Sequence, residues 1–205
     1  LLDVDGNLWF TESQAGKIGV LDTKTAEIKE FLPKTPLKSP EALFFDTKGN
    51  LWIAEHTGPS IVKFDTAFET FEKISVPDSS SLPFGMTQDK YGNIWFAQHT
   101  VDRLGVYDPY NDDLVEVQLP TTQSFTQFMI SDDKDNVWFV EQRGNKIGIV
   151  KITENPTLQP IQEQAEKFEI KYADFVSPLI SMGIIAKSLF FVKSVRDKRR
   201  IDSLL

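Results

Sequence analysis

The chain has 205 residues, a formal net charge of −8, an apolar fraction of 40% and no cysteine. Recognition of a nucleic acid requires a basic surface, so the net acidity argues against that class of partner. The lack of cysteine excludes disulfide bonds and thiolate metal sites, while the apolar content is that of an ordinary globular protein.

The first predicted feature is a tryptophan that recurs every 43 residues, at Trp9, Trp52, Trp95 and Trp138. Gly-Asn stands just before the tryptophan strand in three copies and Asp-Asn in the fourth, which suits a tight hairpin turn. A fixed period of about 20 to 50 residues predicts an array of repeated supersecondary units.

Each repeat is predicted to hold four short strands. The first strand ends at an aspartate six residues before the tryptophan, and the second strand carries the tryptophan between apolar neighbours. Third strands are predicted at Lys17–Asp22, Ile61–Asp65, Arg103–Asp108 and Lys146–Ile152. Fourth strands are predicted at Glu27–Leu32, Phe71–Val76, Leu114–Leu119 and Lys167–Tyr172. A proline follows three of the fourth strands and ends them, because proline cannot donate to a ladder.

Four antiparallel strands in a repeat of this length are typical of a β-propeller blade. A β-sandwich would lack the fixed period, and an α-solenoid would need helical periodicity. We therefore predict an all-β fold, with a partial β-propeller over residues 1–172 that contributes four visible blades to a six- or seven-bladed ring. The first blade is predicted to be truncated, since the chain begins eight residues before Trp9. Because open sheet edges are avoided, we expect two to four further blades, on the N-terminal side or from another chain.

One rim of the predicted propeller gathers the candidate site residues, because the loops after the tryptophan strands meet the loops between blades there. Three residues past the tryptophans stand Glu12, Glu55, Gln98 and Glu141, and four past stand the two histidines, His56 and His99. The inter-blade loops contribute Glu41, Phe84 and Gln127, eleven residues before the tryptophan. We predict that Phe84, Gln98 and Gln127 line a ligand-binding rim.

The glutamates of this rim are candidate ligands of a hard divalent cation, Mg²⁺ or Ca²⁺, because such ions prefer oxygen donors. The set comprises Glu12, Glu41, Glu55 and Glu141. The alternative is a structural role, in which repeated glutamates hydrogen-bond to loop amides. His56 and His99 are candidate general bases, since imidazole titrates near neutral pH. Their regular spacing equally suits a structural feature of the repeat.

The C-terminal segment differs in composition from the repeats. Residues 175–192 are mostly apolar, and five lysines and arginines follow within residues 193–200. A run of this length can cross a bilayer core, with the basic flank on the cytoplasmic side. We predict a transmembrane helix over residues 173–195 and a basic cytoplasmic tail over residues 196–205. The membrane-embedded side chains include Phe175, Ile180, Ile184, Lys187 and Phe190.

This topology predicts a single-pass protein of the cell membrane with its propeller outside the cytoplasm. Ser177, Ser181 and Ser188 fall on one helical face, which predicts packing against a protein partner in the membrane. A helix lying in the membrane interface and a soluble helix are the alternatives for this segment.

The phrase Gly-Asn-Leu-Trp-Phe-Thr-Glu of residues 6–12, followed by Gly-Lys-Ile-Gly at 16–19, resembles the repeat of the streptogramin B (virginiamycin B) lyase propellers. Asn-Lys-Ile-Gly at 145–148 and Pro-Phe-Gly-Met at 83–86 are similar to the same repeat. The resemblance covers residues 1–152 and not the tail. It implies a seven-bladed propeller and a Mg²⁺-assisted elimination that opens a cyclic depsipeptide at an ester bond, with a histidine removing the proton α to the carbonyl.

The resemblance also implies positions for the functional residues of that family. Its metal-binding glutamate, three past the tryptophan, is matched by Glu12, Glu55 and Glu141. Its catalytic histidine belongs in the inter-blade loop, where this chain has Glu41, Phe84 and Gln127.

Two functional hypotheses follow. The first is a propeller that binds a ligand or a protein partner at the cell surface, as a scaffold or an accessory part of a membrane complex. The second is a metal-dependent lyase or hydrolase, with His56 or His99 as its base and the rim glutamates as metal ligands.

Overall fold

The computed structural model describes residues 1–152 and 169–174, which form fifteen β-strands in four antiparallel sheets, here called blades A to D. Blade A holds β1 (Leu8–Glu12), β2 (Lys17–Leu21) and β3 (Ile28–Phe31). Blade B holds β4 (Pro40–Phe45), β5 (Leu51–Glu55), β6 (Ser60–Asp65) and β7 (Thr70–Ser75). Blade C holds β8 (Pro83–Gln88), β9 (Ile94–Gln98), β10 (Arg103–Asp108) and β11 (Asp113–Gln118). Blade D holds β12 (Thr126–Ser131), β13 (Asn136–Glu141), β14 (Lys146–Lys151) and β15 (Glu169–Asp174).

The observed blades confirm the predicted all-β, partial propeller architecture. In blades B, C and D, each strand pairs with its neighbours in sequence, so each blade is a four-stranded meander. Blade A has three strands, and an isolated bridge between Leu2 and Leu8 stands at the place of its innermost strand. The last strand of blade D is Glu169–Asp174, two residues further along the chain than predicted.

A hydrogen bond between an aspartate and the tryptophan explains the phrase that begins each repeat. In blade B, Oδ2 of Asp46 accepts bonds from Nε1 of Trp52 at 2.9 Å and from Nδ2 of Asn50 at 2.8 Å. Its Oδ1 accepts the backbone N–H groups of Lys48 and Asn50. The same bonds to the tryptophan and asparagine recur at Asp3, Asp89 and Asp132. The turn between Asp46 and Asn50 contains Gly49, whose φ of 85° few other residues adopt.

Apolar cores lie between neighbouring blades. Trp52 of blade B packs in one core with Ile94 and Phe96 of blade C, and Trp95 of blade C packs in the next with Phe139 of blade D. The tryptophan thus faces the following blade, while the residues on either side of it face the preceding blade. This arrangement is the reason that both faces of the tryptophan strand are apolar.

The first strands of blades C and D lie side by side on the axial side of the propeller. Oγ1 of Thr87 is 3.1 Å from Oγ of Ser131 and accepts the Ser131 N–H at 3.0 Å. A Cβ atom on Gly85 would lie 2.3 Å from the carbonyl oxygen of Gln127, so glycine permits this close approach. The start of each first strand opens onto the rim predicted to hold the site.

The segment predicted to span a membrane falls largely outside the described residues. Strand β15 runs to Asp174, two residues into the helix predicted over residues 173–195. Phe175, Ile180, Ile184, Lys187 and Phe190 and the predicted tail at 196–205 lie outside the described part. Within residues 1–152 and 169–174, no helix is long and apolar enough to cross a bilayer.

Candidate functional site

A backbone clamp fixes the inter-blade loops at the candidate rim. Ser39, Leu82 and Phe125 occupy equivalent positions in three loops, and all three adopt positive φ values, of 51°, 46° and 56°. The carbonyl oxygen of Ser39 accepts the N–H of His56, and that of Leu82 accepts the N–H of His99. A left-handed conformation is costly for bulky residues and is found at sites where the surrounding structure imposes it. The loop that carries each histidine is thereby joined to the inter-blade loop of its own blade.

The residue two positions after each clamp lies in an irregular stretch of the first strand. The pairing register shifts between Pro40 and Ala42 in blade B and between Pro83 and Met86 in blade C. Blade D has the same shift after Thr126. Bulges of this kind redirect side chains, and here they release Glu41, Phe84 and Gln127 from the regular alternation of the strand.

The residue four past each tryptophan reaches the inter-blade loop of the following blade. Oγ of Ser13 in blade A is 2.8 Å from Oγ of Ser39 in blade B. The ring of His56 in blade B is 5.2 Å from that of Phe84 in blade C, measured between centroids. The ring of His99 in blade C is 3.7 Å from that of Phe125 in blade D. Each such contact therefore belongs to two blades.

These contacts build a continuous wall of aromatic rings, here called the rim cluster and made of His56, Phe84, His99, Phe125 and Phe128. Phe84 is central, with its ring 5.7 Å from His99 in a stacked arrangement and 5.6 Å from Phe128 edge-on. The two histidine rings are 5.6 Å apart. His99 is buried, whereas the other four side chains are half-buried. The structure thus brings together His56, His99 and Phe84 of the predicted rim.

The tautomer and charge of His99 follow from its surroundings. Its Nδ1 lies 3.0 Å from the carbonyl oxygen of Thr126. Because a carbonyl only accepts, Nδ1 carries the proton and Nε2 keeps the lone pair in the neutral ring. Burial lowers the pKa of His99, and the neighbouring His56 and Arg143 lower it further, against the opposing effect of the Thr126 carbonyl. His99 is therefore neutral at physiological pH.

His56 presents a buried nitrogen without a bond. Its Nδ1 has no hydrogen-bond partner among residues 1–152 and 169–174, although the atom is shielded from solvent. The rings of Phe84 and His99 lie beside it. Buried polar atoms in proteins are almost always paired, so an orphan at a rim indicates a site for an additional group.

Arg143 stands at the blade D end of the rim cluster. Its Cζ lies 4.0 Å from the centroid of the Phe125 ring, a cation–π arrangement. The Arg143 N–H donates to the carbonyl oxygen of Ser124, and the neighbouring Gln142 N–H donates to that of Phe125. The carboxylate of Asp102 in turn accepts the N–H and Oγ–H of Ser124. These hydrogen bonds hold the loop under Arg143.

Glu55, one of the predicted metal ligands, is turned into its own blade. Glu55 is buried, accepts the N–H of Lys38 at 2.8 Å and the hydroxyl of Ser60, and pairs with Lys73 at 2.5 Å. Lys73 belongs to strand β7, on the outer side of the blade. These bonds occupy both carboxylate oxygens of Glu55.

The equivalent side chains in the other blades also point toward outer strands. In blade A, Lys17 bridges Glu12 and Glu30, at 3.3 and 2.6 Å. In blade C, Nε2 of Gln98 donates to Glu116 at 2.8 Å. Glu12, Glu55, Gln98 and Glu141 are consequently kept apart from one another, one in each blade.

Glu141, the equivalent residue of blade D, is fully buried. Its carboxyl oxygens lie near Thr121 and Tyr172 without a well-formed hydrogen bond to any described residue. Burial raises its pKa, against the opposing effects of Thr121, Tyr172 and Lys146.

The remaining predicted rim residues are more exposed to solvent. Glu41 is exposed and accepts a long bond from Oγ of Ser39 at 3.4 Å. Gln127 is half-buried, and its backbone contacts Gly85. No cluster of three histidine, aspartate or glutamate side chains suited to a metal ion occurs among the described residues. The metal-ligand hypothesis remains a prediction.

Sequence reasoning missed three members of this site, namely Phe125, Phe128 and Arg143. A signal was present, because Phe125 and Phe128 stand on either side of Gln127 in a stretch that is otherwise polar over residues 121–128. Arg143 follows Glu141 by two residues and carried no repeat signature, since residues 57 and 100 at the equivalent positions are threonines.

Comparison with known proteins identifies the family to which these blades belong. Residues 2–167, which include the whole rim cluster, match the virginiamycin B lyase family. The chain belongs to this family. The resemblance seen in the repeat phrases is therefore confirmed. None of the curated protein sequences matches the chain at a significant level.

Three solved proteins illustrate the similarity. The virginiamycin B lyase from Staphylococcus aureus is 26% identical, with a TM-score of 0.73 over 87% of this chain and 55% of the lyase. A catalytically inactive histidine-to-alanine variant of that lyase, with quinupristin, matches equally well. A streptogramin B lyase is 27% identical, with a TM-score of 0.70 over 86% of this chain and 68% of that one. An auxiliary nutrient binding protein from Bacteroides ovatus, 15% identical with a TM-score of 0.62 over 87% of this chain and 42% of that one, shares the fold alone.

This member of the virginiamycin B lyase family spans 55% of the length of the S. aureus lyase. The resemblance implies a magnesium ion, and no three histidine, aspartate or glutamate side chains of the described residues converge on a site for one. Glu55 already bonds to Lys38, Ser60 and Lys73, and Glu12 is paired with Lys17. At Glu55, a cation would have to displace these partners before it reached the carboxylate, whereas the carboxyl oxygens of Glu141 have no hydrogen-bond partner among the described residues.

Proposed function

We propose that the rim cluster binds a ligand that carries an aromatic ring, and that this propeller is a ligand-binding module within the virginiamycin B lyase family. The observation that carries the proposal is the buried Nδ1 of His56, which has no hydrogen-bond partner in the described part of the chain and lies beside the rings of Phe84 and His99. Leaving a buried nitrogen unpaired costs about 1–3 kcal/mol, so a ligand that bonds to it is favoured by a comparable amount.

The packing of the wall supports an aromatic ligand. Phe84 is half-buried between neighbours on two blades, and Phe128 meets it edge-on at 5.6 Å. An added ring can stack or pack edge-on against such a surface and gain about 0.5–1.5 kcal/mol beyond its apolar burial. The clamps at Leu82 and Phe125 hold the wall in place before the ligand arrives, which limits the entropy lost on binding.

The test is calorimetric titration of the full chain with indole, a neutral aromatic probe that can donate one hydrogen bond. We expect Phe84→Ala to weaken indole binding by about tenfold, because a stacked ring is lost. Phe68→Ala is the matched control, since Phe68 is 79% exposed on a hairpin far from the rim cluster. Equal affinity of the wild type and Phe84→Ala, or no binding of indole, would refute the proposal.

A lyase or hydrolase activity is the second candidate, and the geometry of His99 favours it. The bond to Thr126 fixes the proton on Nδ1, and the lowered pKa keeps Nε2 unprotonated and able to accept a proton. His56 and His99 both contact Phe84, the residue that occupies the place of the family's inter-blade histidine. In the S. aureus lyase, one histidine-to-alanine change abolishes activity.

Quinupristin separates the two candidates. A lyase would convert it to a linear product of unchanged mass, which chromatography resolves from the cyclic compound. Loss of that conversion in His99→Ala, with Phe68→Ala active, would support the second candidate. If the full chain binds quinupristin without converting it, the ligand-binding function is supported and the lyase activity is refuted.

We also propose that residues 175–205 anchor the propeller to a membrane with the blades outside the cytoplasm. Support comes from the apolar run at 175–192 and the basic residues at 193–200. The full chain should float with phosphatidylcholine vesicles in a density gradient and resist extraction by alkaline carbonate. A chain ending at Asp174 should do neither, and co-flotation of that shorter chain would contradict the anchor.

A further inference from the structure

We infer that the ligand of the rim cluster is an aromatic carboxylate, whose ring lies on Phe84 and Phe128 and whose negative group is held by Arg143 against the Phe125 ring. This inference rests on the proposed ligand-binding function and adds the chemical class of the ligand. The juxtaposition that carries it is a guanidinium 4.0 Å above one end of a wall of rings.

The placement of Arg143 leaves its hydrogen-bond donors available. A guanidinium stacked on a ring covers one flat face and keeps its N–H groups at the edge, where a carboxylate accepts two parallel bonds. Among residues 1–152 and 169–174, no carboxylate forms an ion pair with Arg143. By contrast, Arg103 of the preceding blade is engaged by Asp78 and Glu116.

The loop that carries Arg143 is pre-organised for this role. Its backbone bonds to Ser124 and Phe125 fix the Cα position, and Asp102 fixes the loop beneath. The Arg143 side chain is exposed, so the loss of conformational entropy on binding is limited by its fixed backbone and by its stacking on the Phe125 ring. The position is therefore suited to recognition and not only to solubility.

The charges at the two ends of the rim cluster determine the orientation of the bound ligand. Glu41 is exposed at the start of the first strand of blade B, whereas Arg143 lies in blade D. A carboxylate is repelled by the first and attracted by the second. The acidic group of the ligand consequently lies over blade D, and its ring lies over blade C beside His56, whose Nδ1 has no hydrogen-bond partner among the residues that the structure describes.

The experiment compares two probes of the same shape, indole-3-acetate and its neutral amide, by calorimetric titration of the full chain. We expect the carboxylate to bind about tenfold more tightly than the amide, as a charge-assisted bidentate pair requires. Arg143→Gln should abolish this preference and leave the affinity for the amide within about twofold of wild type. Lys134→Gln removes the same charge from an exposed turn on the opposite rim and should preserve the preference.

Each outcome of this titration either supports or overturns the inference. A preference that disappears only in Arg143→Gln supports it. Equal affinities for the two probes in the wild type, or a preference that persists in Arg143→Gln, overturns it. If both probes bind and both are weakened by Phe84→Ala while Arg143→Gln has no effect, the proposed binding function stands and the carboxylate inference fails. If neither probe binds, both fail.

Discussion

Nδ1 of His99 donates a 3.0 Å hydrogen bond to the carbonyl oxygen of Thr126, so a side chain of blade C is tied to the first strand of blade D. The bond crosses a blade boundary at the rim, beside the rings of Phe84 and Phe125. It makes His99 a structural member of the propeller as well as a candidate site residue.

The first prediction concerns acid stability. The folded pKa of His99 lies below its unfolded value of about 6.5, so the unfolded chain takes up this proton at a higher pH than the folded chain. The contribution of His99 to stability is therefore complete above about pH 6.5 and decreases as the pH falls through that value. Urea unfolding between about pH 7.5 and 5.5 should show a steeper loss of unfolding free energy in the wild type than in His99→Gln. Identical slopes in the two proteins would contradict the assignment.

The second prediction concerns the aspartate of the repeat phrase. Asp89 is buried and accepts bonds from Trp95 Nε1, Asn93 Nδ2 and the backbone N–H groups of Tyr91 and Asn93. Asp89→Ala removes the acceptor of four hydrogen bonds and should lower the unfolding free energy by about 3 kcal/mol.

The control for this prediction is Asp133→Ala, at an exposed aspartate in the equivalent turn of blade D. Its unfolding free energy should stay within about 0.5 kcal/mol of the wild type. Equal losses in the two variants, measured by urea unfolding, would show that the Asp89 network does not stabilise the blade.

The third prediction concerns a glycine that lies under an aromatic ring. A Cβ on Gly105 would lie 2.0 Å from Cζ of Phe96, and Gly148 and Phe139 stand in the same relation in blade D. Gly105→Ala should therefore reduce the unfolding free energy by about 1–3 kcal/mol. In a double-mutant cycle with Phe96→Leu, the combined loss should be smaller than the two single losses added together. Strict additivity would mean that the ring and the glycine do not constrain each other.

The fourth prediction separates a structural from a metal-binding role for Glu55. Its buried bonds to Lys38, Ser60 and Lys73 predict that Glu55→Ala lowers the unfolding free energy by about 3 kcal/mol. Millimolar Mg²⁺ or Ca²⁺ should change the melting temperatures of the wild type and of Glu55→Ala by the same small amount. A cation that stabilises the wild type alone would instead identify Glu55 as a metal ligand, because a bound ion stabilises only the state that binds it.

The blades could be predicted from sequence because their determinants are local. The hydrogen bonds among Asp46, Asn50 and Trp52 lie within seven residues of chain. The recurrence of that phrase every 43 residues is therefore enough to place three of the four strands of a blade. The last strand of blade D lies two residues further along the chain than predicted, because no tryptophan or turn phrase marks its position.

The site could be predicted only in part, because its contacts cross blade boundaries. Counting from the tryptophans put His56, His99 and Phe84 on one rim, and these side chains do meet there. The direction of Glu55 could not be read in this way. It depends on Lys73 of strand β7, whose register against β6 is fixed only in the folded sheet.

The clamps at Ser39, Leu82 and Phe125 act through backbone atoms, with a carbonyl oxygen of one loop bonded to an N–H of the other. These backbone bonds do not depend on which side chains stand on the rim, whereas His99 and Asp102 bind the same frame through their side chains. A histidine can be lost from the inter-blade loop and another placed four residues past a tryptophan while the loops keep their positions. In evolutionary terms, such a rim can exchange the side chains that make no hydrogen bond to its frame, because those substitutions leave the backbone clamps in place.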